Sequence, residues 1–316
     1  MQLDLKNKKI WVAGHNGMVG RAIMNTLSEE GYTLQTVSKQ ELDLRRQADV
    51  ESWMSQNRPD IVITAAAKVG GIGANSAAPA EFLYDNLMIE ANIIHAAHVC
   101  DVQNLLFLGS SCIYPKFAQQ PIQEEALLSG HLEPTNEGYA VAKIAGIKLC
   151  QMYQQQYGRN YISAMPCNLY GPGDRYDAQI SHVIPAMILK YHKAKELNEA
   201  KVEFWGTGQP MREFLYVDDL AEGVVHLLKT YKGNMPINIG SGQEVSIKEL
   251  SELVADVVGY KGETKFDSSK PDGTPRKIMD NQRILGLGWQ PKIDLKTGLI
   301  KAYKDFLGGV HNRDAA

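Results

Sequence analysis

The chain has 316 residues, 44% of them hydrophobic and 22% charged, with a formal net charge of −3. That length can bury a large core, as one big α/β unit or two domains, and the near-neutral charge gives no footing for a nucleic acid or a membrane surface. No run of about 18 apolar residues is present and the first nine residues lack the apolar segment of a secretion signal, so neither a membrane span nor export is expected. Cys100, Cys112, Cys150 and Cys167 show neither close pairing nor metal-ligand spacing, which predicts a reduced, cytoplasmic protein without a metal.

Short apolar runs alternate with helical patterns through the first half. Lys9 to Ala13 reads as a strand and Gly20 to Glu30 as a helix ended by Gly31. Tyr32 to Val37, Ile61 to Ala65, Leu105 to Leu108 and Tyr161 to Met165 read as further buried strands. Such alternation predicts a parallel, doubly wound α/β sheet of Rossmann type. In the stretch from Phe82 to Ala97 the apolar residues cover more than one helical face. Its own domain can enclose it, or one face can meet a second subunit. A long helix begins near Asn136, with polar capping residues at its start.

After Gly171-Pro172-Gly173 loops and prolines become more frequent, although Val217–Leu228 still reads as a helix of the main sheet and Ile237–Ile239 as one of its strands. The expected division is a dinucleotide-binding domain over residues 1–170 plus about 217–240, and a smaller interleaved domain over about 171–216 plus 241–316. The cleft between them is the default ligand site.

Gly14-His15-Asn16-Gly17-Met18-Val19-Gly20 follows the first strand and opens the first helix. A dinucleotide needs a tight turn there, backbone approach to its pyrophosphate and close helix–strand packing. The second strand ends Thr36-Val37-Ser38-Lys39-Gln40, with no carboxylate before Glu41. An acidic residue at that point would repel a 2′-phosphate, whereas Ser38 and Lys39 can donate to one, so NADP is the expected cofactor. Lys39 also reads as a surface lysine, and Glu41 keeps NAD possible. Asp43 and Leu44 are placed to meet the adenine edge.

Tyr139 and Lys143 stand one helical turn apart in Tyr-Ala-Val-Ala-Lys. An ammonium beside a phenol favours the phenolate, lowering a pKa otherwise near ~10 and making the pair usable in proton transfer near neutrality.

With the glycine loop, Leu108-Gly-Ser-Ser-Cys-Ile-Tyr-Pro115, Tyr139 and Lys143 in this order, the chain resembles the extended short-chain dehydrogenase/reductases. Ala65-Ala-Ala-Lys-Val-Gly-Gly-Ile72, Pro134-Thr-Asn136, Ser181-His-Val-Ile-Pro185, Trp205-Gly-Thr-Gly208, Pro210-Met-Arg-Glu-Phe214 and Lys270-Pro-Asp-Gly-Thr-Pro-Arg-Lys277 narrow the resemblance. They point to the branch that epimerises C3 and C5 and reduces C4 of GDP-4-keto-6-deoxy-D-mannose with NADPH. The resemblance runs from about residue 10 to about residue 290.

The resemblance implies roles residue by residue. Ser110 and Tyr139 hold the oxygen at C4, where charge develops, and Lys143 keeps Tyr139 acidic and contacts the nicotinamide ribose. Cys112 and His182 form the second acid/base pair, for which the plain alternatives are a buried thiol and a structural histidine. Leu108, Gly109, Ser110, Pro166, Asn168, Leu169 and His182 border the cofactor. Arg212, with Lys190, suits the diphosphate. Trp205 either packs on the sugar or guanine end or is a buried anchor. Asp272 either accepts from the ligand or caps a turn. Asn16, Lys39 and Lys190 stand where arginine is common in the family, each losing a guanidinium fork.

The implied partners are a GDP-sugar and a second copy of the chain, with neither nucleic acid nor membrane. Three other readings stay open: another GDP-4-keto sugar (a heptose or a 3,6-dideoxy sugar), a nucleotide-sugar epimerase or dehydratase that retains NAD, and a non-catalytic dinucleotide sensor.

Overall fold

The computed structural model describes residues 3–177, 181–270 and 272–309, so Pro271 and the last seven positions of the expected second domain lie outside it. The strands are β1 (Lys9–Ala13), β2 (Thr33–Gln35), β3 (Ile61–Thr64), β4 (Asn104–Leu108), β5 (Asn160–Pro166), β6 (Asn168–Tyr170), β7 (Lys201–Trp205), β8 (Met211–Tyr216), β9 (Ile237–Ile239), β10 (Glu244–Ser246), β11 (Glu263–Asp267) and β12 (Arg276–Lys277). The helices are α1 (Met18–Glu29), α2 (Gln47–Asn57), α3 (Ile72–Ala77), α4 (Pro79–Val99), α5 (Glu137–Tyr157), α6 (Val183–Glu196), α7 (Val217–Thr230), α8 (Ile247–Val258), α9 (Gln282–Gly286) and α10 (Leu295–Leu307).

Six strands form one parallel sheet in the order β2-β1-β3-β4-β5-β9. Every residue of β3, and all but the first of β1 and β4, is buried, as a sheet covered on both faces requires. α1 packs with α7, and α4 packs with α5 and α2. The chain leaves β1 toward β2 and returns on its other side to β3, so the sheet reverses direction between β1 and β3. At such a reversal the carboxyl ends of the strands leave a crevice for a ligand.

Smaller sheets lie beyond this one. β8 pairs antiparallel with β10 and parallel with β12 and β6, and β7 pairs with β11. The buried apolar residues fall into two clusters. The first surrounds the six-stranded sheet; the second gathers α6, α8 and α10 around Ile188, Tyr191, Leu250, Val254 and Leu299. Met279, Ile284 and Trp289 join the first cluster, although they belong to the C-terminal stretch expected in the smaller domain. The reason is that the chain returns across the sheet edge at α9, which packs on β9.

α4 takes a middle course between the two sequence readings. Phe82, Ile93, Ile94, Ala96 and Ala97 are buried, whereas Tyr84 (61% exposed) and Leu87 (37% exposed) are not covered within the chain. Among the described residues no helix is long and apolar enough to cross a membrane.

Candidate active site

The glycine turn is built by close contact. Gly14 has φ +86°, and a Cβ there would lie 2.6 Å from Ala66 Cα. A Cβ on Gly20 would lie 2.1 Å from the Gly14 carbonyl oxygen, which forces glycine where α1 passes under the turn. Gly17 differs, because its Cβ would meet only that same oxygen, at 3.6 Å. It is the N-cap of α1 and supplies no side-chain cap, so the helix's first N–H groups stay available to an anion. Met18 begins α1, Val19 packs on the core beside it, and Asn16 is exposed. Burial, then the Arg21 charge, pushes the His15 pKa down, while Glu41 opposes. This cradle fits the pyrophosphate of a dinucleotide.

The adenosine side departs from expectation. Ser38 spends both donors on Glu41: its hydroxyl lies 2.7 Å and its N–H 3.0 Å from Glu41 Oε2. Those bonds hold the Glu41 carboxyl below its usual pKa. Lys39 is exposed and remains the cation of that turn. Asp43 is gripped by the Arg45 guanidinium at 2.9 Å through each of two nitrogens, which holds its carboxyl at about 2. The Leu44 carbonyl accepts from Asn92 Nδ2 at 3.0 Å. The Asp43 carboxylate is therefore tied to Arg45, and the Leu44 backbone to α4 through Asn92.

The chemistry-bearing residues converge where β4 ends and α5 begins. The turn after β4 caps itself, with Cys112 N–H donating to Ser110 Oγ at 3.3 Å. Gly109 sits where a Cβ would lie 2.5 Å from Met165 Sδ, so the backbone passes close under β5. Asn136 does not use its side chain to cap α5, contrary to the expectation from Pro134-Thr135-Asn136. Its amide instead donates to Cys112 Sγ at 3.2 Å. The thiol is half-buried and held by a polar donor, not sealed in the core. Lys143 is almost fully buried; its ammonium donates to the Leu108 carbonyl at 3.0 Å and lies 2.7 Å from Glu90 Oε1.

The expectation for Tyr139 needs correcting. Burial, then the charges of Cys112 and Glu90, pushes its phenol pKa well up, and only a hydrogen bond with Ser110 pulls the other way. Lys143 does not reverse this: its Nζ lies 5.8 Å from the Tyr139 ring centre and carries Glu90 as its counter-charge. The Tyr139 phenol is thus held above its ordinary value, not below it.

A cavity of about 310 Å³ opens beside Tyr139, lined by Asn75, Pro79, Phe82, Thr135 and Asn136 among others. Asn75 Oδ1 and Asn136 Oδ1 are buried acceptors with no hydrogen-bond partner among the described residues. Sequence reasoning missed Asn75, missed this use of Asn136, and missed Glu90. Only Glu90 carried a legible signal, an acid inside the apolar run Leu87-Met88-Ile89-Glu90-Ala91.

The other expected residues are spread along the cleft. β5 and β6 deliver Pro166, Asn168 and Leu169, and Asn168 Nδ2 donates to the Glu213 carbonyl at 2.9 Å. His182 is exposed at the N-cap of α6 without capping it, and the protein packed around it lowers its pKa. Arg212 on β8 donates to the Met211 carbonyl at 2.8 Å. Burial lowers its pKa, and the charges of Asp272 and Glu133 oppose. Trp205 is 76% exposed and so is not a buried anchor. The Lys190 ammonium donates to the Glu203 carbonyl over the Phe204 ring. Asp272 accepts from Thr207 N–H at 2.9 Å and Thr207 Oγ1 at 2.7 Å, the turn-tying alternative of its two readings.

A parallel sheet with an anion-binding glycine turn at its reversal point, and a Ser-Tyr-Lys set above it, defines a dinucleotide-dependent enzyme. Residues 10–240 match the NAD dependent epimerase/dehydratase family, and the chain belongs to that family. It is 55% identical over 306 residues to the GDP-L-fucose synthase of Sinorhizobium fredii, covering 97% of this chain and 98% of that one. A solved GDP-L-fucose synthetase from Naegleria fowleri, bound to NADP, superposes with a TM-score of 0.89 at 26% identity, covering 98% of each chain. A solved GDP-6-OMe-4-keto-L-xylo-heptose reductase from C. jejuni superposes with a TM-score of 0.92 at 35% identity, covering 98% of this chain and all of that one.

Proposed function

We propose that this enzyme inverts C3 and C5 of GDP-4-keto-6-deoxy-D-mannose and then reduces C4 with NADPH, giving GDP-L-fucose. The observation that carries the reading is the cluster at the head of α5. A thiol (Cys112) held by Asn136 stands beside a protonated phenol (Tyr139) and a hydroxyl (Ser110), above a buried Lys143. Identity of 55% with a named GDP-L-fucose synthase supports the choice of sugar.

The ketone at C4 makes the hydrogens at C3 and C5 acidic, because the anion left behind delocalises onto O4. Ser110 Oγ and Tyr139 Oη donate to O4 as that charge appears. Cys112 and His182 exchange the protons, one removing a proton from one face of the sugar and the other returning one to the opposite face. Bound NADPH supplies the hydride received at C4. Tyr139 then gives its proton to O4 as the alkoxide forms. Gly14 to Gly20 hold the pyrophosphate of the cofactor, Lys39 its 2′-phosphate, and Lys143 its nicotinamide ribose, while Leu108, Gly109, Pro166, Asn168, Leu169 and His182 border it. Arg212 binds the GDP diphosphate with Lys190 beside it, and the exposed face of Trp205 stacks on the guanine or the sugar. Asp272 holds the Trp205–Gly208 turn in place.

The region around the first cluster is assigned to the dinucleotide and that around the second to the GDP-sugar. Tyr84 and Leu87 on α4, with Val141 and Met152 on α5, form an exposed apolar face that supports a homodimer. Free thiols at Cys100, Cys112, Cys150 and Cys167 support a reducing cytoplasm.

The test combines purified protein, NADPH and GDP-4-keto-6-deoxy-D-mannose in deuterated water. Stoichiometric NADPH oxidation with a galacto-configured product labelled at C3 and C5 is expected. The heptose reductase neighbour motivates a second reading, C4 reduction of a different GDP-4-keto sugar. No oxidation with this sugar, but oxidation with a GDP-4-keto-heptose, would establish that reading instead; oxidation of this sugar without label would remove the epimerisation.

A further inference from the structure

Ala65-Ala-Ala-Lys-Val-Gly-Gly-Ile72, one of the strings that narrow the family resemblance, has no part in the mechanism above. It leaves the end of β3 and leads into α3, and it is pinned at both ends. Asn86 on α4 is fully buried; its Oδ1 accepts from the Lys68 N–H at 2.8 Å and its Nδ2 donates to the Lys68 carbonyl at 3.0 Å. At the other end, Asn75 on α3 donates from Nδ2 to the Gly70 carbonyl at 2.8 Å and to the Gly71 carbonyl at 3.1 Å. A Cβ on Gly70 would lie 2.8 Å from Ala74 Cβ, so α3 is pressed onto the turn before it.

Those two carbonyls settle which way the Asn75 amide faces. A backbone carbonyl only accepts, so the NH2 group lies on that side and Oδ1 points away from the turn. The residue is 6% exposed, and Oδ1 has no hydrogen-bond partner among the described residues. A buried acceptor left unpaired is destabilising, and native structures rarely keep one without a purpose. Asn136 repeats the arrangement. Its Nδ2 is taken by Cys112 Sγ at 3.2 Å, and its Oδ1 is buried and unpaired. Both residues line the cavity of about 310 Å³ beside Tyr139, because α3 packs directly on the turn Pro134–Asn136.

Two fixed acceptors in one cavity call for a ligand that brings hydroxyl donors. The sugar of the activity proposed above carries two. C1 bears the nucleotide, C4 is the ketone, C5 bonds the ring oxygen and C6 is a methyl, which leaves hydroxyls at C2 and C3. With O4 at Tyr139, C3 and C2 are the next ring carbons on one side.

We propose that Asn75 Oδ1 and Asn136 Oδ1 accept hydrogen bonds from the C2 and C3 hydroxyls of the GDP-sugar, which makes Asn75 a specificity-determining residue that tells a hydroxyl-bearing ring from a deoxy one. This deepens the activity proposed above and rests on it for the identity of the sugar. The physical reason is an asymmetry. A site built to pair with a hydroxyl rejects the analogue lacking it, since its own buried acceptor is then left unpaired.

The experiment measures kcat/KM for NADPH oxidation by the full chain with GDP-4-keto-6-deoxy-D-mannose and with its 2-deoxy and 3-deoxy counterparts, in wild type and Asn75→Leu. Wild type should prefer the parent sugar over each deoxy sugar by about tenfold or more. Asn75→Leu should lose about tenfold on the parent and little on one of the deoxy sugars, so that this preference collapses. An Asn75 that only ties the turn would lower all three rates alike, and a preference unchanged in the variant overturns the proposal. If Asn75→Leu does not fold, wild type alone decides, because equal rates on parent and deoxy sugars refute it.

A second readout does not need turnover. Titration calorimetry of NADP-bound protein compares GDP-D-mannose, which has the same C2 and C3 hydroxyls, with GDP. Asn75→Leu should weaken GDP-D-mannose by about tenfold and leave GDP unchanged. A chain that ignores the keto sugar yet shows this selective loss would sink the activity and keep the role of Asn75. Turnover with an unchanged preference would do the reverse.

Discussion

The two hydrophobic clusters are held together by different physics. Around the six-stranded sheet, β1, β3 and β4 bury Ile10, Val12, Ile61, Ile63, Leu105 and Leu106 in repeating layers, with each strand's backbone paired to the next. Around α6, α8 and α10 the core is rich in tyrosine. Tyr191 packs edge-on to Phe204 at 5.3 Å, and Tyr170 to Tyr216 at 5.7 Å. Each buried hydroxyl there needs a particular partner: Tyr191 meets Thr264 Oγ1 at 2.9 Å, and Tyr260 donates to the Glu199 carbonyl at 3.0 Å. The first region rests on a repeating pattern and the second on single contacts between distant segments. Chemistry gathers at the ends of the repeating strands, where position is fixed most tightly. The reading proposed above gives recognition of the larger ligand to the less regular part.

The largest effect should come from the regular side. Tyr139→Phe removes the proton donor and should lower C4 reduction by about 10²–10⁴-fold, read as NADPH oxidation, with NADPH affinity and circular dichroism unchanged. Near-normal reduction would remove Tyr139 from the chemistry. Next comes a contrast within one turn. Gly20→Ala drives a methyl to 2.1 Å from the Gly14 carbonyl and should abolish cofactor binding or the fold. Gly17→Ala meets nothing closer than 3.6 Å and should keep the wild-type melting temperature, weakening NADPH by about tenfold if the pyrophosphate approaches there.

On the irregular side, Trp205→Ala should weaken GDP-sugar binding by about tenfold, from lost stacking worth ~1–3 kcal/mol, and leave NADPH affinity alone. Titration calorimetry of each ligand separates the two. Equal losses for both would mean that the division between regions is misplaced. The last effect is one of pH, read in stability and not in activity. Burial pushes the Asp174 carboxyl up to about 7, with only the Arg175 N–H opposing. A folded-state pKa above the unfolded value of about 3.9 means that the folded protein binds the extra proton. Stability should then fall as pH rises from about 4 to about 7, and Asp174→Asn should flatten that fall in urea midpoints.

Strands β1, β3, β4 and β5 were legible because a parallel strand buried on both faces is a continuous apolar run. The glycine turn was legible because close approach tolerates no Cβ, and spacing alone records that. Asn136 was misread for a physical reason. A polar residue before a helix is a cap by default, and only the fold shows that its amide reaches a thiol 24 positions earlier. Ser38 was misread likewise: its donors were counted toward a phosphate, but Glu41 three residues on takes both.

The sequence by itself determined the class of fold, the glycine turn after the first strand and the residue types available for proton transfer, because those depend on local periodicity and on short spacings. Tertiary structure alone decided which charged groups surround them. Lys143 meets a carboxylate 53 positions earlier, Glu90, brought to 2.7 Å by the packing of α4 on α5. Charge acts through space and burial, and neither is written in the order of the residues.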